Sequence, residues 1–132
     1  GKTLTQERVK ELAEIPNIAI LCGRYEGVDQ RVIDEIVDEE ISIGDYVVTG
    51  GEMPAMILAD AVSRMIPGVL SQPEGYMGES HYSSLLEYPQ YTRPEEFMGM
   101  KVPSVLLSGH HKKIEEYMLE ESIKETKKIL QN

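Results

Sequence analysis

The hydrophobic pattern near the start of the chain predicts a helix, a strand and a second helix. Apolar residues at i, i+3 and i+4 spacing over 9–13 follow Thr5, which is suited to cap a helix that Pro16 ends. The apolar run 17–22 is bounded by turn residues and predicts a buried strand, and an apolar face over 28–37 predicts the second helix. This order of elements is typical of an α/β domain with a parallel sheet.

The middle of the chain predicts two short strands and a buried helix. Ile41 and Ile43 alternate with polar residues, and residues 46–48 form another short apolar run. Residues 52–66 are apolar on most sides and carry Pro54 in the first turn, so we expect a helix that is buried nearly all round.

The pattern changes after residue 70. Residues 71–100 are rich in Pro, Tyr and Ser and show little periodicity, which is typical of a linker. An apolar run over 102–107 and the pair Ser108-Gly109 then precede a long final helix. The apolar stripe of that helix consists of Ile114, Tyr117, Met118, Ile123 and Leu130.

Composition narrows the class of protein. The 132 residues, 41% hydrophobic and 27% charged, suit one domain with a core, and no apolar run approaches the roughly 20 residues that cross a bilayer. A single cysteine, Cys22, excludes an internal disulfide, makes a zinc site improbable beside three scattered histidines, and fits a reducing, cytoplasmic setting. The net charge of −10 argues against nonspecific nucleic-acid binding but leaves a specific RNA enzyme open.

Two glycine-rich loops are the best candidates for a binding site. Residues 23–27 follow the predicted strand 17–22, and ligands of α/β sheets bind at the carboxyl ends of strands. Residues 43–51 lead into the predicted helix 52–66, whose N terminus suits a polar or anionic ligand. Neither loop has the GxGxxG spacing of dinucleotide sites. The two loops either wall one pocket or are two structural turns.

Other polar residues give weaker signals. Asp60 and Arg64 have the spacing of an ordinary helix salt bridge, although Arg64 ends its helix where a functional arginine could project. Polar groups on loops are more often functional than those on helix faces, and the linker holds several: Glu79, Ser80, His81, Glu87, Gln90, Tyr91, Thr92 and Arg93. Lysines 124, 127 and 128 form either a solvated helix face or an RNA contact of low specificity.

Four blocks of sequence resemble a known family. In chain order they are LCGRYEGVDQRV, DEEISIGDYVVTGGEMPAMILADAVSR, IPGVL and LLEYPQYTRPEEFMGMKVPSVLLSGHH. Together they cover nearly all of the chain and are similar to the bacterial tRNA (guanine-N1)-methyltransferases, the TrmD family. The resemblance implies a SPOUT-type α/β fold, in which a parallel sheet carries trefoil-knot loops and a small helical C-terminal domain follows.

The resemblance also implies an activity and partners. The family uses S-adenosyl-L-methionine to methylate N1 of guanosine 37, next to guanosine 36 in the anticodon arm of tRNA, which preserves the reading frame. It acts as a homodimer and shows a dependence on Mg²⁺. Carried over to this chain, residues 1–70 are the knotted cofactor-binding part, 71–93 the flexible interdomain linker, and 94–132 the helical tRNA-binding domain.

Site residues are implied by the same positional match. Cofactor-binding positions fall in both loops, where backbone groups would hold the adenine between Ile43, Tyr46 and Val48. Arg64 matches the catalytic arginine, Glu79 the position of the general base, and Glu26 a position tied to the magnesium dependence. The complete cofactor-binding set is Gly23, Tyr25, Gly27, Ile43, Gly44, Tyr46, Val48, Gly50 and Gly51.

Two departures from the family accompany the match. The family's general base is an aspartate, whereas Glu79 is one methylene longer. The family's N-terminal strands and first knot loop precede Gly1, so we expect the N-terminal part of the same protein to complete the pocket and this piece alone to be a weak or inactive enzyme. Another SPOUT methyltransferase acting on rRNA and a non-catalytic binding module are the alternatives.

Overall fold

A computed structural model describes residues 1–71 and 85–130 of the chain. The chain divides into two compact units, Gly1–Pro73 and Glu74–Asn132. Glu79, Ser80 and His81 lie outside the described residues.

The first unit combines three helices with a short parallel sheet. The helices are α1 (Gln6–Ala13), α2 (Gln30–Ile36) and α3 (Glu52–Ser63), and the strands are β1 (Lys2–Thr3) and β2 (Ile41–Ser42). The strands pair in parallel with Lys2 opposite Ile41, and the Leu4 N–H continues the pairing by donating to the Ser42 carbonyl at 2.8 Å. The three helices and the strand at Ile41 confirm the elements that the apolar spacing predicts.

The core of this unit lies where α1 packs against α3. Among the described residues of the unit, the buried apolar side chains are Val9 and Leu12 on α1 and Leu58 on α3. Thr5 fixes the start of α1 as predicted, because its side-chain oxygen accepts a hydrogen bond from the Arg8 N–H at 3.2 Å.

Three expectations about strands and burial are wrong. Residues 17–22 form no strand and leave Leu21 57% exposed, and residues 46–48 also form no strand. Helix α3 buries only Leu58, while its methionines at 53 and 56 stay exposed. A strand buried on both faces needs neighbouring strands and covering layers, and the described part of the first unit supplies one two-stranded pair that does not include 17–22.

The second unit consists of a hairpin and two helices. Strands β3 (Glu96–Phe97) and β4 (Met100–Lys101) pair antiparallel, and the helices are α4 (Ser104–Leu107) and α5 (His111–Leu130). Met98 and Gly99 both have positive φ, 52° and 78°, as a two-residue type I′ turn requires. The apolar stripe predicts α5 correctly, except that Leu130 is exposed. The described residues contain no helix with both the length and the apolar character to cross a membrane.

A cluster of charged side chains links α1 to the segment that leads into β2. The Arg8 guanidinium donates from Nε to both carboxylate oxygens of Glu39, at 3.1 and 3.2 Å, and from a terminal nitrogen to Glu39 at 2.5 Å. A second terminal nitrogen donates to Glu11 within α1 at 2.5 Å. These bonds hold the pKa of Glu39 below its usual range.

We expect acid to weaken this link. A carboxyl group whose pKa is lowered by folding adds stability above its unfolded pKa, near 4.5, and this contribution is lost as pH falls through the lower folded value. The melting temperature of the wild type should therefore exceed that of Glu39→Gln above the ordinary glutamate pKa, near 4.5, and the difference should disappear as pH falls through the lower folded-state pKa. The other carboxyl groups are the same in both proteins, so their contributions to the pH dependence cancel in the difference. A difference that stays constant over this range would contradict the assignment.

Candidate functional site

The two glycine-rich loops of the first unit are joined through their backbones. The Gly51 N–H donates to the Gly23 carbonyl at 2.8 Å, and Arg24 and Gly50 form an antiparallel bridge. These contacts bring together loops that lie far apart in the sequence. The two loops are therefore neighbours in the fold, and their joint role in one binding site stays a prediction.

The junction requires a glycine at position 51. A Cβ atom there would lie 2.8 Å from Cys22 Cα and 3.0 Å from the Gly23 nitrogen, which are backbone atoms that cannot move aside without separating the loops. At Gly50 a Cβ atom would instead meet side-chain atoms, Glu52 Oε2 at 2.5 Å and Arg24 Cγ at 3.2 Å. Gly51 is thus the position on which the close approach of the two segments depends.

The first loop displays Tyr25 to solvent. The Gly27 N–H donates to the Arg24 carbonyl at 3.3 Å and closes a tight turn, with Tyr25 at φ 58°. A bulky side chain in the left-handed region costs on the order of 1–3 kcal/mol, and such residues concentrate at functional sites. The Tyr25 side chain is 95% exposed. The turn therefore holds an aromatic ring available for a ligand.

The second loop presents apolar surface beside a rigid turn. Ser42 Oγ donates to the Gly44 carbonyl at 3.0 Å and accepts from the Gly44 N–H at 3.2 Å. The Tyr46 ring packs over Gly44, where a Cβ atom would lie 2.5 Å from Tyr46 Cε1. Tyr46 remains 61% exposed and Val48 40% exposed. These side chains offer the kind of apolar face on which a planar base stacks.

The expected catalytic and metal positions are placed only in part. Arg64 is the half-buried C-cap of α3, and its backbone N–H donates to the Asp60 carbonyl at 3.2 Å. Glu79 lies outside the described residues, so its role stays a prediction. Glu26 lies exposed in the first loop, and within 1–71 and 85–130 no three His, Cys, Asp or Glu side chains gather to hold a metal ion.

Sequence analysis did not single out Arg24 and Glu52, although they meet at the junction. Arg24 Nε lies 2.5 Å from Glu52 Oε1, and the bond holds the pKa of Glu52 below its usual range. The signal in the sequence is a pair of opposite charges, with Arg24 inside the first glycine-rich loop and Glu52 directly after the second. That signal does not show that the two charges meet, because pairing depends on how the loops fold together.

The second unit forms a cavity of about 390 Å³ over α4 and α5. Tyr88, Gln90, Tyr91, Thr92, Arg93 and Glu95 contribute to its lining, and apolar side chains of the helices complete it. The chain just before Tyr88 is hydrogen-bonded to α5, since the Leu86 N–H donates to Thr126 Oγ1 at 2.9 Å. The linker boundaries at 71 and 93 stay a prediction.

Two of the three lysines near the end of α5 pair with glutamates of the same helix. Lys124 pairs with Glu121, and Lys128 pairs with Glu125, each one turn earlier. An acidic residue N-terminal to its basic partner is the favourable order for such a helix pair. This arrangement favours the solvated-face interpretation of the lysine cluster over a dedicated RNA contact.

Comparison with known proteins gives a consistent result. The sequence model of the family described as tRNA (Guanine-1)-methyltransferase TrmD matches residues 1–131. Proteins named tRNA (guanine-N(1)-)-methyltransferase are 60% identical in Ruminiclostridium cellulolyticum, 58% in Clostridioides difficile and 52% in Burkholderia multivorans, each over 96% of this chain. The matched part is 54%, 55% and 48% of those relatives, so the chain spans about half their length. The chain belongs to the tRNA (guanine-1)-methyltransferase TrmD family.

Proposed function

We propose that the protein transfers a methyl group from S-adenosyl-L-methionine to N1 of guanosine 37 in tRNA, with the two joined loops as the methyl-donor site. Family membership over residues 1–131 carries the proposal. The names of the relatives give the acceptor as guanine N1 of a tRNA. The junction between Gly23 and Gly51 adds support, because it connects the two loops that contain all nine expected cofactor positions.

The chemistry of the loops suits a nucleoside ligand. When bound, S-adenosyl-L-methionine supplies the methyl group as an electrophile on its sulfonium. Backbone N–H and carbonyl groups of the two loops would read the adenine edge, and Ile43, Tyr46 and Val48 would enclose its faces. The exposure of Tyr46 and Val48 supports this role, because these side chains have apolar surface left to cover.

Two side chains would perform the acid–base chemistry on guanine. N1 must lose its proton as it gains the methyl group, so a carboxylate must come within about 2.6–3.2 Å of it, and we assign this role to Glu79. Arg64 would stabilise the negative charge that builds on the guanine O6 as the proton leaves. A single carboxylate at Glu26 is an incomplete magnesium site among the described residues, so no step of this scheme passes through a metal ion.

Further parts of the proposal concern partners and location. We propose a SPOUT-type knot around the two loops and a homodimer in which the N-terminal part of the same protein completes the pocket. The second unit would contact the anticodon arm. The reaction is assigned to the cytoplasm, in agreement with the single cysteine.

In the full-length protein, Gly51→Ala should weaken methyl-donor binding by about tenfold or more, which corresponds to about 1.4 kcal/mol. The added Cβ atom overlaps the backbone of residues 22 and 23 and forces the loops apart. Isothermal titration with S-adenosyl-L-methionine measures the effect, and circular dichroism checks the fold. Thr49→Ala, an exposed change in the same loop, is the control and should bind normally. Unchanged affinity in folded Gly51→Ala would refute the site.

Glu79→Gln should lower the single-turnover rate of tRNA methylation by about 10²–10⁴-fold, because it removes the base while keeping size and polarity. Binding of S-adenosyl-L-methionine should persist. Glu79→Asp should retain much of the rate, since it restores the residue that the family uses. Glu87→Gln is the matched control on an exposed acid of the same chain.

Labelled methyl donor and tRNA with or without guanosine 37 test the substrate assignment in the same assay. Incorporation that requires guanosine 37 is expected. Methylation of rRNA instead would favour another SPOUT enzyme, and binding without transfer would favour a non-catalytic module. A normal rate in Glu79→Gln at every pH would reject Glu79, and the rates of Glu87→Gln and His81→Asn would then identify the base.

A further inference from the structure

We infer that Arg24 and Glu52 are positioning residues for the methyl-donor site, and that their ion pair fixes the separation of the two loops across Gly50. The inference rests on the proposed function, because it assigns a role toward the same ligand. Neither residue is among the expected cofactor, catalytic or metal positions. We call this ion pair the loop latch.

The latch lies directly over the backbone junction. Arg24 Nε and Glu52 Oε1 are 2.5 Å apart. A Cβ atom on Gly50 would lie 2.5 Å from the other carboxylate oxygen of Glu52 and 3.2 Å from Arg24 Cγ. The pair therefore occupies the space that any side chain at position 50 would need. Glycine at this position leaves room for the latch.

Both ends of the latch belong to the segments that the ligand must meet. Arg24 is bridged to Gly50 and immediately precedes the exposed Tyr25, whose side chain also helps to raise the pKa of Arg24. Glu52 is the first residue of α3, where a carboxylate is favoured by the helix dipole. A change in the Arg24–Glu52 distance would thus move Tyr25 relative to Gly50 and Gly51.

Exposure separates this role from a role in global stability. The side chains of Arg24 and Glu52 are 61% and 48% exposed, and ion pairs so exposed contribute little to unfolding free energy. The backbone bonds of the junction and the α1–α3 core remain when the latch is removed. We therefore expect its loss to change ligand affinity much more than the melting temperature.

Charge reversal tests the latch in the methyl-transfer assay. Arg24→Glu and Glu52→Arg should each raise KM for S-adenosyl-L-methionine about tenfold at saturating tRNA, with kcat within about threefold and nearly unchanged melting temperatures. The double variant restores an opposite pair and should recover most of the KM. Arg31→Glu, a reversal of equal size at the exposed Arg31–Asp29 pair at the start of α2, is the control and should leave this KM unchanged.

The outcomes separate a failure of the proposed function from a failure of the latch. Full-length wild-type protein, with its N-terminal part, that transfers no methyl group to tRNA would overturn the proposed function, and the latch with it. An active wild type whose single variants keep a normal KM, or whose double variant shows no recovery, would overturn the latch alone. If the reversals lower the melting temperature, Glu52→Gln is used instead, because it removes the charge without reversing it. A KM that rises only in variants with a lowered melting temperature would also overturn the latch.

Discussion

The hydrogen bond from the Gly51 N–H to the Gly23 carbonyl is the contact on which the candidate site depends. It joins two loops that neither share an element nor adjoin in sequence, and it forms only because residue 51 has no side chain to hold the backbones apart. All nine proposed cofactor positions lie in one or the other of these loops. Backbone packing therefore brings the two loops together, and side chains such as Tyr25 and Tyr46 project from them.

The second loop is anchored at both of its ends. On one side it leaves β2, which is paired with β1 and linked to α1 through the Arg8–Glu39 hydrogen bonds. On the other side it enters α3, which packs against the same helix α1. A single small core, with Val9 and Leu12 at its centre, thus supports both ends of the loop. This explains how a unit with so few buried side chains can still hold a defined turn.

Features that depend on residues close together in the sequence were predicted better than features that depend on distant residues. Local signals were sufficient for α1, α2, α3 and α5, since a cap such as Thr5 and apolar residues at helical spacing lie within a few residues of each other. The strand expected over 17–22 was not found, because an apolar run specifies burial but not the neighbouring strands that burial requires. The hairpin at 96–101 was missed because strands of two residues show no period. The Arg24–Glu52 pair was missed because it forms only after the loops have met.

The charge pattern of α5 has a consequence for the thermodynamics of RNA binding. Lys124 and Lys128 are already compensated by glutamates, in a chain whose net charge is −10. Counterions are released from RNA in proportion to the phosphates that a protein neutralises, and this release makes affinity fall steeply with salt. A lysine that is already paired with a carboxylate contributes less to this release. Lys124 and Lys128 would then add little to the salt dependence of any association between this helix and RNA.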